Sequence, residues 1–209
     1  MSKRLYTITR DLHLYFGLFI APFVLVFCIS VFFLVHAWSP GANEPPSPKR
    51  VVSDVALPED LENLGGRARV DALQIVLAEI GLTGEIGYVG HNVKGRTLRF
   101  PVVVPGRETA VEIDLADHRA AISQRETGFG DALVALHKSP GPHLVDIRMN
   151  WLPMSVWRWL ADGTVYLLFF ISVSGVYLWA VLRAERRTGL ALIGAGAISF
   201  FGIIYAVIH

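Results

Sequence analysis

Three stretches of the chain carry no Asp, Glu, Lys or Arg: Leu14 to Ala37, Gly163 to Leu182 and Gly189 to Ile208, of 24, 20 and 20 residues. At helical rise they would measure about 36, 30 and 30 Å, against a hydrocarbon core of about 30 Å. Each therefore predicts a membrane-spanning helix. Pro22 falls inside the first run. A proline there predicts at most a kink, because neighbouring helices and water can satisfy the carbonyl it frees. A second reading treats the first run as a signal peptide, since Val35-His36-Ala37 resembles a small-residue cleavage site. The run is far longer than the ~7–15 apolar residues of a signal core, which favours a retained span.

The pattern changes between the first two runs. A proline-rich linker, SPGANEPPSPKR, covers 39–50 and favours extended backbone. From Arg69 to Ile80 the apolar residues Val70, Leu73, Val76, Leu77 and Ile80 share one helical face, and Gly81 is a natural stop. Short β-rich runs follow over Gly84–Asn92, Thr97–Val104 and Thr109–Leu115, with a weaker fourth over Ala120–Arg125 after an Asp117-His118 turn. The segments Val93–Arg96 and Pro105–Glu108 supply the other turns. A helix followed by an antiparallel meander makes an α+β unit, just large enough to bury a core.

Downstream, Trp151, Trp157 and Trp159 crowd the approach to the second run. Tryptophan prefers the headgroup layer, so 143–162 is expected to lie along the interface before the chain enters the bilayer. Arg158 and Asp162 are four apart and can pair if that stretch is helical, as an ordinary surface pair. The expected division is 1–12 as N-terminal flank, 13–38 as first span, 39–50 as linker and 51–128 as the α+β domain. Then come 129–162 as interfacial segment, 163–182 as second span, 183–188 as loop and 189–209 as third span. The fold class is a membrane α-helical protein of three spans with a small α+β domain inserted between helices 1 and 2.

Composition agrees. Hydrophobic residues make up 53% and charged residues 18%, and the mean hydropathy is +0.46. A soluble domain carries about 25% charged residues. The net charge of +1, without a basic stripe, argues against nucleic acid as a partner. Cys28 is the only cysteine, lies within the first run and reads as a packing residue. Lys3, Arg4 and Arg10 precede the first span, and Arg183, Arg186 and Arg187 fill the connection between the second and third. The positive-inside rule makes both flanks cytoplasmic, so 39–162 and the C-terminal His209 are expected outside; in a bacterium that is the periplasm. Ala191, Ala195 and Ser199 are four apart in the third span, with Gly202 near the same line, a spacing that suits close helix packing.

Three segments resemble the PepSY-associated transmembrane family. Arg10-Asp11-Leu12-His13-Leu14-Tyr15-Phe16-Gly17-Leu18 is similar to its Arg/Lys–His–aromatic–Gly opening of span one. Leu133-Val134-Ala135-Leu136-His137-Lys138 resembles its LH segment ahead of span two. Ser174-Gly175-Val176-Tyr177-Leu178-Trp179, followed by Arg183, resembles its SG-x-x-x-W…R ending. The intervening helix and hairpins look like a PepSY domain. Many relatives have four or more spans, so this chain resembles a reduced form.

Some members of that family are similar to siderophore-iron reductases that carry b-type haem, and this resemblance directs attention to the histidines. Haem iron needs axial imidazoles at matching depth. From the topology, His36, His137, His143 and His209 fall toward the outer face, whereas His13 stands alone at the inner end of span one. His13 and His36 are separated by about 35 Å of helix and cannot share an iron. The resulting expectation is a haem held by His36 with either His137 or His209, and a second at His13 only if another chain supplies a ligand. The plain alternative is that these are interfacial polar side chains. His137, His143 and Asp146 also suggest a divalent-metal site, but their spacing fits no standard closed site and a loop is the simpler reading. His91 and His118 read as strand-end or turn residues.

Two functions follow. One is electron transfer to a ferric chelate or partner protein, with electrons supplied by quinol or another subunit, because the sequence holds no nicotinamide or flavin motif. The other is a non-enzymatic membrane-tethered PepSY module that binds a periplasmic partner such as a peptidase. No nucleophile–base pair marks a catalytic residue. The lipid bilayer is a partner under both readings, and a homo-oligomer is compatible with both.

Overall fold

The computed structural model describes residues 3–38, 45–138, 146–182 and 185–209. Arg183, His143 and residues 39–44 of the expected linker lie outside these residues. Three helices are long and apolar enough to cross a membrane: α1 (Lys3–Val35), α4 (Leu152–Leu182) and α5 (Arg186–Ile208). Between α1 and α4 lie β1 (Arg50–Val52), α2 (Gly66–Glu79), β2 (Glu85–Ile86), β3 (Gly90–Asn92), β4 (Thr97–Val104), β5 (Arg107–Asp114), β6 (Arg119–Glu126) and α3 (Gly128–Lys138). The chain divides into two compact units, residues 1–22 with 163–209, and residues 23–162.

In the second unit the strands form one antiparallel sheet in the order β1-β6-β5-β4-β2, with β3 also pairing β4. Alternation builds it. Leu98, Phe100 and Val102 of β4 and Val111 and Ile113 of β5 point to one face and are buried, as the period of two requires. They meet Val70, Leu73, Val76 and Leu77 on the apolar face of α2. Each such side chain, fully buried, contributes about 1.5–3 kcal/mol. The β4–β5 hairpin closes on Pro105-Gly106, with Val104 opposite Arg107 and Gly106 at φ +89°. That is the positive φ a type II turn demands after proline. The opposite face carries cross-strand ion pairs, Arg99–Glu112 at 2.6 Å and Arg125–Glu108 at 3.1 Å.

Within the segment expected over 129–162, residues 128–138 form the helix α3, and from Leu152 the chain is helical and runs on through the apolar run from 163 as one continuous helix of 31 residues. Pro153 sits in its first turn, where a missing N–H costs nothing. Trp157 is drawn inward, donating its indole N–H to the Leu136 carbonyl at 3.0 Å. Arg158 and Asp162 stand 3.9 Å apart in this helix. Residues 147–150 are pinned to the sheet edge by Asn150. Its Oδ1 accepts from Gln74 Nε2 at 2.7 Å and Ile86 N at 2.8 Å, and its Nδ2 donates to Ile86 O at 2.9 Å and Ile147 O at 2.7 Å.

In the first unit, the N-terminal half of α1 packs on α4. Phe16 meets Phe170 edge-on at 5.5 Å between ring centroids, and a Cβ at Gly17 would touch Ile171 at 3.8 Å. Gly189 of α5 lies against the Trp179 indole of α4, leaving no room for a side chain. No residue of α5 is buried.

Candidate functional site

The same packing positions His13. On α1, His13, Phe16 and Gly17 recur at three- and four-residue spacing and so share a face. On α4, Phe170, Ile171, Ser174 and Gly175 do the same. His13 Nδ1 consequently lies 2.8 Å from Ser174 Oγ. A Cβ at Gly175 would stand 3.5 Å from His13 Cε1, so the glycine leaves α4 flat beneath the ring. Ser174 is buried, and its hydroxyl also lies 3.2 Å from the Ile171 carbonyl. Its single proton can serve either neighbour, so both tautomers of His13 are accommodated. Tyr177, three residues further along α4, has a buried hydroxyl without a hydrogen-bond partner among the described residues.

In the second unit, Ser30 of α1 is 1% exposed, and its Oγ lies 2.7 Å from Phe27 O and 3.1 Å from His137 Nδ1. Here the tautomer follows from chemistry. A carbonyl oxygen cannot donate, so at 2.7 Å the hydroxyl proton goes to Phe27 and the hydroxyl accepts from His137 Nδ1–H. His137 Nε2 then keeps its lone pair. Phe27 meets the same imidazole edge-on at 5.5 Å and lies 5.9 Å from the Trp157 ring. Last-turn placement of His137 on α3 suits a side chain able to carry positive charge.

The remaining expected ligands are placed differently. His36 Nδ1 donates to the Phe32 carbonyl at 2.9 Å, which again leaves Nε2 free, but the ring is exposed and tilted over Phe32. His36 follows the last residue of α1, Val35, and its ring nitrogen is engaged by Phe32, whereas His137 is engaged by Ser30; no hydrogen bond or ring contact joins the two imidazoles among the described residues. His209 stacks on Tyr205 with centroids 4.5 Å apart and makes no side-chain hydrogen bond among the described residues. His91 Nε2 is buried in β3 without a partner among the described residues, and His118 Nδ1 lies 3.3 Å from Val55 O. Among the described residues no group of three or more His, Cys, Asp or Glu could hold a metal ion.

The donor chemistry of His137 and His36 would suit a haem iron: each imidazole is held through Nδ1, which leaves Nε2 as the available nitrogen, the arrangement outer-sphere hydrogen bonds impose on metal-bound histidine. His13 would fit in one of its two tautomers. Sequence reasoning singled out the imidazoles but not Ser30, which carries no signal beyond being a small polar residue in an apolar run. Comparison with protein-family models, with curated proteins and with solved structures finds no match to this chain.

Proposed function

We propose that this chain is a PepSY-type protein of a bacterial inner membrane that binds b-type haem and passes electrons outward to a ferric chelate or a partner protein. The observation that carries the reading is the Ser30–His137 bond, which holds a part-buried imidazole against Phe27 with its Nε2 free. Haem, when bound, supplies a one-electron carrier whose potential is set by axial ligands and their hydrogen bonds. The chain's contribution is to hold and orient. Ser30 fixes the His137 tautomer, Phe27 and Trp157 surround the ring with apolar surface, and His13 with Ser174 offers a second imidazole 17 residues earlier on α1. His36 is a further donor, and His209 is the weakest because nothing directs its ring nitrogens. The N-terminus, with Lys3, Arg4 and Arg10, is assigned to the cytoplasm and the sheet domain to the periplasm by the distribution of basic residues.

The test is the visible spectrum of the full chain, purified in mild detergent after expression with haem supplied, oxidised and then dithionite-reduced. A Soret band with sharp reduced α and β bands is expected, lost in His137→Ala and retained in His209→Ala. A featureless spectrum overturns the redox reading. The alternative, a membrane-tethered PepSY module, is favoured by a groove of about 620 Å³ on the solvent face of the sheet, lined by Tyr88, Pro101 and Ala110 among others.

A further inference from the structure

A cavity of about 380 Å³ opens in the sheet domain where β1, β5 and β6 meet the residues following α2. Thr109 and Ile122, both buried, form its floor. The strand register explains the lining. Arg50 lies opposite Ile122, Thr109 opposite Gln124 and Arg107 opposite Glu126, and residues opposite one another share a sheet face. Arg50 and Arg107 therefore reach the same space, with the hydroxyls of Ser47 and Thr83 at its edge.

Charge marks this cavity. Arg96, Arg99 and Arg125 are each paired with a glutamate, at 2.9, 2.6 and 3.1 Å. The two cavity arginines are not. Arg107 makes no ion pair or side-chain hydrogen bond among the described residues, although Glu126 stands across from it. That carboxylate instead accepts from Gln124 Nε2 at 2.9 Å. Arg50 gives one N–H to Ile80 O at 3.2 Å, closing the end of α2, and keeps the rest of its fork. The lining contains no carboxylate. The Thr109 hydroxyl also has no partner among the described residues, so the floor offers a donor as well.

We propose that this cavity binds a small molecule through an oxyanion, carboxylate or phosphate, held between Arg50 and Arg107 with Thr109 beneath it. Guanidinium forks match the paired oxygens of both groups. The volume lies at the small end of ligand pockets and suits a compact anion. The site is independent of the haem reading.

Isothermal titration of the full chain in uncharged detergent at low ionic strength, with citrate and separately with inorganic phosphate, tests it. Saturable binding of one anion per chain is expected for at least one probe, and the probe that binds distinguishes carboxylate from phosphate. Arg107→Gln should weaken it about tenfold or more, since a hydrogen bond to a charged group is lost. Arg107→Lys should fall between, and Thr109→Val should weaken binding with the charge intact. Arg99→Gln, on the opposite sheet face, should leave affinity unchanged. Absence of saturation by either anion at millimolar concentration overturns the proposal. So does an equal loss in Arg99→Gln and Arg107→Gln, which would mean unspecific attraction to positive charge.

Discussion

The sheet domain and the helix α5 are built from the same side chains put to opposite uses. Leu73, Leu98 and Ile113 are 0% exposed between α2 and the sheet. In α5, Leu192, Ile198 and Val207 are 69%, 75% and 80% exposed. In the domain, alternation and helical periodicity sort apolar from polar positions, and water drives the sorting. In α5 nothing is sorted, because lipid is as apolar as leucine and leaves no reason to hide one face. Apolar content alone therefore does not locate a core. Its period does.

The comparison can be broken by truncation. Leu73→Ala should cost about 2–5 kcal/mol, the range for emptying a packed leucine site. Leu192→Ala should cost within about 0.5 kcal/mol, as for surface substitutions generally. Hydrogen exchange of the β4 and β5 amides in the detergent-solubilised chain reads the first directly. Equal protection in Leu73→Ala and wild type would mean that α2 does not hold the sheet.

Period also explains what was readable in advance. β4 occupies Thr97–Val104, the span expected from its alternation, and α2 covers the residues whose apolar positions recur every three or four. β1, which straddles the boundary between the expected linker and domain at 50/51, is only three residues long and pairs with 120–122, far along the chain. Such a strand leaves no local pattern. α3 was hidden by two glycines in its first turn and by proximity to the tryptophan cluster. The helix α4 starts ahead of the uncharged run because charge ends an apolar run but does not end a helix. At the candidate site the imidazoles were visible as residue types, whereas Ser30 and Ser174 were not visible as their partners. They lie 107 and 161 residues from the histidines they meet, and only tertiary packing brings them together.

A second experiment sharpens the contrast at the boundary between the two kinds of surface. β2 is an edge strand, and Asn150 covers its free side with two hydrogen bonds to the N–H and C=O of Ile86, of the kind a neighbouring strand would supply, while two more tie it to Gln74 and Ile147. Asn150→Leu keeps the branched side-chain shape and removes all four, leaving Ile86 N–H unsatisfied. The cost should be about 1–3 kcal/mol, the penalty for one buried unsatisfied group. It should appear as faster exchange at Ile86 and as proteolysis within 147–150, with the β4–β5 amides unaffected. Fraying that spreads to β4 would show that the edge and the core open together.

The smallest effect belongs to a fully exposed group, Asp114, where β5 turns into β6. Its Oδ1 accepts from the backbone N–H of Asp117 at 3.1 Å and of Ala116 at 2.9 Å. These bonds, the Asp117 one foremost, hold its carboxyl below the ordinary value. A carboxyl with a depressed folded pKa prefers to be ionised in the native state. Its contribution is therefore complete above the unfolded pKa of about 3.9, and it drains away as pH falls through the lower folded value. Asp114→Asn keeps an acceptor oxygen but cannot ionise. Its melting temperature should track wild type at neutral pH minus a small constant, and the two curves should converge below about pH 4. Added salt should shrink the neutral-pH gap, because the site is open to water. Parallel curves down to pH 2 would mean that the turn draws nothing from the charge, and that what holds the hairpin is the buried row of Val111, Ile113 and Ile122 behind it.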